Sequence, residues 1–143
     1  MKNQERILTV LGTVLLLGLA WAVFTWWVNR VYDDVSPSVE AFADQFYSHY
    51  NQRAYDTIYK QMTDPEFRES YGLDDFRLFL EEVQSGVGAY KDREMYSWRI
   101  RWKRDGMYFY IEYDVTYENG TTNENFLLKK KEGSWGIVWY EFV

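Results

Sequence analysis

A carboxylate, a phenol and an imidazole occur close together in one apolar-rich stretch of the chain, and these groups could perform acid–base chemistry. They belong to Asp44, Tyr47 and His49, and two further phenols follow at Tyr55 and Tyr59. A carboxyl group whose pKa is raised in an apolar cavity could act as a base, while a phenol could donate to a developing oxyanion. The residue types therefore raise the possibility of an isomerase, a cyclase or a hydrolase.

The spacing of these residues argues against a shared catalytic site. Asp44 and His49 would lie about 140° apart around a helix, so their side chains would diverge. The tyrosines follow the apolar stripe of the same stretch, where aromatic residues usually form core. The chain also has one histidine and no cysteine, which disfavours a zinc site. We therefore predict a protein that is not an enzyme and that holds neither a cofactor nor a metal.

The sequence divides by composition into an apolar anchor and a folded domain. Residues 7–28 contain no charged side chain, and a helix of this length spans roughly 33 Å, enough to cross the apolar core of a bilayer. A cleaved signal peptide is the alternative, because Lys2 and Arg6 give a basic start and residues 20–22 resemble a cleavage site. The apolar run is longer than the usual core of a signal peptide, which favours an uncleaved membrane helix.

The two ends of the anchor predict its orientation. Lys2 and Arg6 flank the N-terminal end, and such basic side chains tend to remain in the cytoplasm. Tryptophan rings favour the membrane–water boundary, and three of them lie toward the other end, at Trp21, Trp26 and Trp27. We therefore predict a single-pass protein of the inner (cell) membrane with a cytoplasmic tail at 1–6, a transmembrane helix at 7–28, a juncture at 29–35 and a periplasmic or extracellular domain at 36–143.

A stripe of small residues on the anchor could pack against another membrane helix. Gly18, Ala22 and Thr25 share one helical face, and small side chains let helix backbones approach closely in lipid. We predict helix packing on this face.

The rest of the chain predicts helices followed by strands. Ser36-Pro37 is a helix start signal, and apolar spacing predicts one helix ending near Asn51, a second at residues 53–62 and a third opening at Asp74-Asp75. From Tyr90 onward the apolar period changes to two, with turn dipeptides at residues 105–106, 119–120 and 132–133. The fold class is therefore α+β, with about three helices and then a four-stranded antiparallel meander.

Two-residue loops at these dipeptides would set the pairing of the strands. They predict that Ile100 faces Ile111, that Phe126 faces Trp139 and that Leu128 faces Ile137 on the side that covers the helices. The opposite, outer face would then carry apolar and aromatic residues among its charges, a mixture that is typical of protein interfaces. The predicted interface residues are Arg99, Arg101, Tyr108, Tyr110, Leu127, Val138, Tyr140 and Phe142. Lys129 to Lys131 are expected to form a solvated strand end.

Helices followed by a long antiparallel meander from Ser36 to Val143 resemble the cystatin-like cone fold of the nuclear-transport-factor-two-like superfamily. The resemblance is one of architecture, without a family-specific residue motif. It implies either a pocket between sheet and helices or a membrane-anchored cone domain outside the cytoplasm, as in several envelope proteins of that superfamily.

Charge and anchoring together favour a protein-binding role. The chain carries a net charge of −6, which does not favour nucleic acid as a partner. We therefore expect a non-catalytic accessory or assembly subunit of a larger bacterial membrane complex, bioenergetic or secretory, that contacts the lipid bilayer and other subunits or a second copy. The alternative is a membrane-tethered domain that binds or senses a small ligand. An open apolar pocket would favour that alternative, and a filled interior the first.

Overall fold

A computed structural model describes the backbone of residues 2–143 and the side chains of residues 9–143. Lys2 and Arg6, on which the predicted orientation depends, lie outside the described side chains. The helical elements are α1 (Lys2–Asn51), α2 (Tyr55–Thr57), a π-helical turn (Ile58–Met62), α3 (Pro65–Ser70) and α4 (Leu73–Val87). The strands are β1 (Tyr90–Lys103), β2 (Gly106–Tyr117), β3 (Gly120–Lys131) and β4 (Ser134–Phe142), which confirms the predicted α+β class.

The chain forms two compact units, Met1–Glu40 and Ala41–Val143. The first contains the apolar part of α1, where large side chains such as Leu15, Leu16 and Leu17 are exposed. This is the one helix in the described part of the chain that is long and apolar enough to cross a membrane. A spanning helix near the N-terminus, as predicted, is therefore compatible with the structure on length and composition.

Two helix boundaries differ from the prediction. Residues 29–36 are helical and Pro37 lies inside α1, so the predicted helix start at Ser36 was wrong; a Ser-Pro pair fits a helix start but does not enforce one. The predicted helix at 53–62 was also wrong as one element. Arg53 has a φ of +56°, which is incompatible with an α-helix, and a short α2 continues into the π-helical turn.

The two later helices have the ends that their sequences predict. The Asp64 carboxylate accepts from the backbone N–H of Glu66 at 3.0 Å, with Pro65 opening α3. Gly88 ends α4 at a φ of +83°, and a Cβ there would lie 2.7 Å from Oε2 of Glu118. Only glycine fits that position without displacement.

The four strands form one antiparallel sheet in the order β1-β2-β3-β4, which is the predicted meander. The first two registers differ from the prediction by two residues, since Ile100 pairs with Phe109 and Ile111 with Phe126. Each of these two turns lies one residue earlier than predicted, so that Gly106 belongs to β2. A displacement by two residues leaves paired side chains such as Ile100, Ile111 and Phe126 on their predicted face.

A β-bulge in β4 changes which of its side chains face the helices. Leu128 pairs with Ile137 as predicted, but the register then shifts, and Phe126 pairs with Tyr140 instead of Trp139. An extra residue in one strand reverses the alternation beyond it. The assignment of Tyr140 and Phe142 to the outer face was therefore wrong.

Aromatic side chains fill the space between the sheet and the helical residues of Ala41–Val143. Phe46 contacts Phe126 edge to face, with ring centroids 5.1 Å apart, and Tyr50 contacts Tyr117 at 5.6 Å. Further fully buried side chains include Ile58, Phe76, Leu80, Phe109, Ile111 and Leu128. The large apolar area removed from water stabilises this unit.

Candidate functional site

The outer face of the sheet, turned away from the filled interior, carries rows of side chains in register. One row crosses all four strands through Arg99, Tyr110, Leu127 and Trp139. The Tyr110 and Trp139 rings stack with centroids 6.4 Å apart. The neighbouring row carries Arg101, Tyr108 and Lys129, with Gly136 at its end.

Six residues of these strands form a depression of about 260 Å³, here called the cationic trough: Arg99, Arg101, Lys103, Tyr108, Tyr110 and Leu127. The guanidinium carbon of Arg99 lies 5.3 Å from the Tyr110 ring centroid, and Nζ of Lys103 lies 4.4 Å from that of Tyr108. Such cation–π contacts contribute about 0.5–1 kcal/mol at exposed sites. The tyrosine rings therefore hold positive charge over the trough.

Lys129, on the outer face beside Tyr108, is held by a local network. Its ammonium lies 2.6 Å from Oδ2 of Asp105, which also accepts from the Tyr108 hydroxyl at 2.7 Å. The bond from Lys129, followed by that from Tyr108, lowers the pKa of the Asp105 carboxyl to about 2. Lys129 is buried, with 8% of its surface exposed, so its predicted place in a solvated strand end was wrong.

The bases of the trough differ from Lys129 in their pairing. Among the described side chains, Arg99, Arg101 and Lys103 form no salt bridge with an acidic residue. Their charges are exposed to solvent. The trough therefore presents three uncompensated cations beside two tyrosine rings, on a chain whose overall charge is negative.

The structure places the predicted interface residues in three positions. Arg99, Arg101, Tyr108, Tyr110 and Leu127 line the trough on the outer face, while Val138 is the extra residue of the bulge in β4. Tyr140 and Phe142 lie on the inner face, with ring contacts to Phe126 and Tyr117 respectively. A binding role for the outer group stays a prediction.

Sequence reasoning missed two outer-face residues. Lys129 follows Leu127 by two positions in β3, so strand alternation could have placed it there. Trp139 reaches the outer face only because of the bulge, and Gly136, inside β4 just before the bulge, was the available signal.

A buried carboxylate cluster in the interior was also missed. Glu124 has no exposed surface, and its carboxylate accepts hydrogen bonds from the Tyr47 hydroxyl at 3.0 Å, from the Tyr140 hydroxyl at 2.7 Å and from the Tyr117 hydroxyl. We call these four residues the tyrosine cluster. The alternation of β3 places Glu124 on the same face as Phe126 and Leu128, which was the available signal.

Burial dominates the electrostatics of the tyrosine cluster. It raises the pKa of the Glu124 carboxyl, against the hydrogen bonds from the three tyrosines, which lower it. Burial and then the nearby Glu124 charge also raise the pKa of Tyr47, Tyr117 and Tyr140. The phenols therefore remain protonated donors, and the cluster satisfies a polar group that would otherwise be costly inside an apolar core.

The candidate acid–base residues form separate contacts. Asp44 is exposed and pairs with Arg93 at 2.7 Å, whereas Tyr47 belongs to the tyrosine cluster. The Tyr55 hydroxyl donates to the side chain of Gln84, and the Tyr59 hydroxyl to the Tyr71 carbonyl at 2.7 Å. No hydrogen bond or ion pair of the described residues joins Asp44 to His49 or to these phenols.

The anchor has an open stripe where helix packing was predicted. A Cβ added to Gly18 would meet no atom within 4 Å, and the Thr25 hydroxyl donates back to the carbonyls of Trp21 and Ala22 at 3.0 Å. At the C-terminal end of the apolar run, the Arg30 guanidinium lies 6.0 Å from the Trp26 ring centroid. Trp21, Trp26 and Trp27 are exposed. Packing by the stripe and contact of the tryptophans with the membrane boundary stay predictions.

Comparisons with known proteins find matches for this chain among solved structures only. No protein-family model matches it, and no curated protein matches it significantly. It is similar to the crystal structure of a de novo designed protein with a curved β-sheet, at 17% sequence identity and a TM-score of 0.48. That similarity covers 73% of this chain and 97% of the designed one. A similarity of that extent implies no family and no function.

Proposed function

We propose that this chain is a single-pass membrane protein whose folded domain binds another protein through the cationic trough. In this proposal it is a non-catalytic accessory or assembly subunit of a larger bacterial membrane complex. The N-terminus lies in the cytoplasm, residues 7–28 cross the inner membrane, and the domain lies in the periplasm or outside the cell. We further propose that the domain is a member of the cystatin-like cone superfamily that its architecture resembles.

The observation that supports protein binding is the combination of uncompensated cations and tyrosine rings on one sheet face. Arginine and tyrosine are enriched in protein interfaces, where planar side chains supply contact area and directed hydrogen bonds. Two other charged residues of this face already contact its tyrosines. The Glu112 carboxylate accepts from the Tyr110 hydroxyl, and the Lys129 ammonium lies over the Tyr108 ring. Arg99, Arg101 and Lys103 therefore remain available to an acidic surface of a partner subunit.

The filled interior makes small-ligand binding the second choice. Ligand pockets are typically apolar clefts with a few convergent polar groups. In this domain the most buried of the convergent polar groups, the Glu124 carboxyl and the Tyr47 and Tyr117 hydroxyls, are hydrogen-bonded to one another. A ligand would have to displace core side chains to reach them.

The test is co-purification from gently solubilised membranes. The double variant Arg99→Glu, Arg101→Glu reverses the charge of the trough without touching the core, and we expect it to lose at least about nine-tenths of the co-purified partner. Buried or partly buried charge pairs at interfaces contribute enough to account for such a loss. The readout is the amount of each partner recovered per amount of this protein, measured by mass spectrometry.

The matched control is Lys91→Glu with Lys131→Glu, which makes the same change in net charge at exposed positions outside the trough. It should retain the partners of the unaltered protein. Equal loss from both double variants would show that net charge alone matters, and undiminished recovery with the trough variant would refute the proposed interface.

A further inference from the structure

A second concave surface lies at the edge of the sheet, away from the cationic trough. A groove of about 440 Å³ runs between α3, the start of α4 and the last residues of β4. Its walls are mostly aromatic, with Phe67, Tyr71, Phe76 and Phe79 facing the segment 138–142. We call it the edge groove.

The groove lies along a strand edge whose backbone groups are open. β4 is the last strand of the sheet, and among the described residues one backbone hydrogen bond reaches its free edge, near the middle of the strand, where the Asp64 N–H donates to the Ile137 carbonyl at 2.8 Å. Farther along, the Val143 N–H donates to the Asn123 carbonyl of β3 at 2.9 Å. Because alternate residues of a strand direct their N–H and C=O groups to opposite sides, those of Tyr140 and Phe142 point away from β3, toward the free edge along which the groove lies.

Charge at the groove limits what can occupy it. Two acidic residues, Glu66 and Glu141, are among the residues that line it, and none of the described lysines or arginines is. The Glu141 carboxylate also accepts from the Asn125 side chain at 3.1 Å. A second copy of this chain that paired with the same edge, antiparallel and centred on Glu141, would place its own Glu141 directly opposite this one, and like charges directly opposite across a strand pair are destabilising. The complementary occupant is therefore basic at its ends and apolar between them.

We propose that the edge groove binds an extended, basic-flanked apolar segment of another protein as an additional antiparallel strand. Its backbone pairs with Tyr140 and Phe142, alternate side chains enter the aromatic groove, and its lysines or arginines meet Glu66 and Glu141. Strand addition of this kind takes affinity from main-chain hydrogen bonds and specificity from pockets for alternate side chains. The inference goes beyond the proposed function of the trough, because the two surfaces share no lining residue.

The test uses the full chain in neutral-lipid nanodiscs and a labelled heptapeptide, Lys-Val-Thr-Val-Thr-Val-Lys, with blocked ends. Fluorescence anisotropy should show saturable binding that weakens at least about tenfold when the two lysines are replaced by glutamates. N-methylation of alternate peptide bonds removes the donors to β4 and should weaken binding by a similar factor. Hydrogen exchange at the Tyr140 and Phe142 amides should slow when the peptide binds.

Protein variants separate the groove from the trough. Glu66→Lys with Glu141→Lys should reverse the preference, so that the glutamate peptide binds better, whereas Glu82→Lys, an exposed change on α4 outside the groove, should have no effect. Arg99→Glu with Arg101→Glu should also leave peptide binding unchanged. Absence of binding up to millimolar peptide, equal binding of the lysine and glutamate peptides, or protection of these amides by self-association without peptide would each overturn the proposal.

Discussion

Replacement of Glu124 by leucine tests whether the tyrosine cluster stabilises the domain as a unit. Glu124→Leu keeps a similar side-chain volume but removes the acceptor of three hydroxyl donors, two of them buried and one partly buried. A buried donor left without a partner costs about 1–3 kcal/mol. Relief of the buried carboxyl offsets part of that sum, because its burial is itself unfavourable. We therefore expect a loss of about 3 kcal/mol or more in the free energy of unfolding.

The companion variants identify the cause of that loss. Tyr47→Phe alone leaves Glu124 with two phenol donors and should cost about 1 kcal/mol. The quadruple variant, Glu124→Leu with phenylalanine at Tyr47, Tyr117 and Tyr140, leaves no unpaired hydroxyl and should recover most of the lost stability. Such recovery would be strongly non-additive, as expected for residues in one hydrogen-bond network.

Urea unfolding of the full chain in mild detergent, followed by near-ultraviolet circular dichroism, measures these differences. With a dependence of about 1–3 kcal/mol per molar urea, a loss of 3 kcal/mol lowers the midpoint by roughly 1–3 M. If Glu124→Leu remains within about 1 kcal/mol of the unaltered protein, or if the quadruple variant is no better than the single one, the cluster does not act as described.

The pH dependence of stability provides a second readout at Glu124. Its pKa in the folded state is raised above the ordinary value of 4.5, so between the two values the folded state binds more protons than the unfolded state. The contribution of the Glu124 carboxyl to the free energy of unfolding is therefore fully present below pH 4.5 and is lost as pH rises through the pKa of the folded state. Glu124→Gln should flatten that fall, and an identical pH profile would contradict the assignment.

Three further predictions concern the anchor and β4. Protease added to intact spheroplasts should digest the domain, and protection until lysis would reverse the predicted orientation. Gly18→Leu with Ala22→Leu should release partners while the chain stays in the membrane, because larger side chains prevent close helix approach; unchanged co-purification would remove the stripe from consideration. Tyr140→Ser should lower the melting temperature by more than about 5 °C, since it removes a ring from the core and a donor to Glu124, whereas Trp139→Ser on the exposed face should change it by less than half as much.

Periodicity and turn chemistry predicted the elements because both are properties of neighbouring residues. The charge-free run at 7–28 predicted an apolar helix, and the change of period at Tyr90 predicted the start of the sheet. Glu132 and Gly133 both have positive φ, at +51° and +83°, as expected for the two-residue turn at which the predicted register was correct.

Other features depend on residues that are far apart in the sequence. The first two turns each lie one residue earlier than predicted, which displaced the pairing of β1 with β2 and of β2 with β3. The bulge after Ile137 exchanged Trp139 and Tyr140 between the two faces of the sheet. Packing between strands selects among such alternatives, and the sequence of one strand does not specify which pairing is selected. Local signals were similarly ambiguous at Pro37, which the helix includes.

The tyrosine cluster shows most clearly what tertiary structure decided. Tyr47 is 77 positions from Glu124, and Tyr140 is 16 positions away. By itself the sequence determined that β3 places a glutamate among apolar residues; it did not determine which donors would meet it. A buried carboxylate is tolerated only where several donors converge, and that convergence exists only once α1, β2 and β4 are packed around β3.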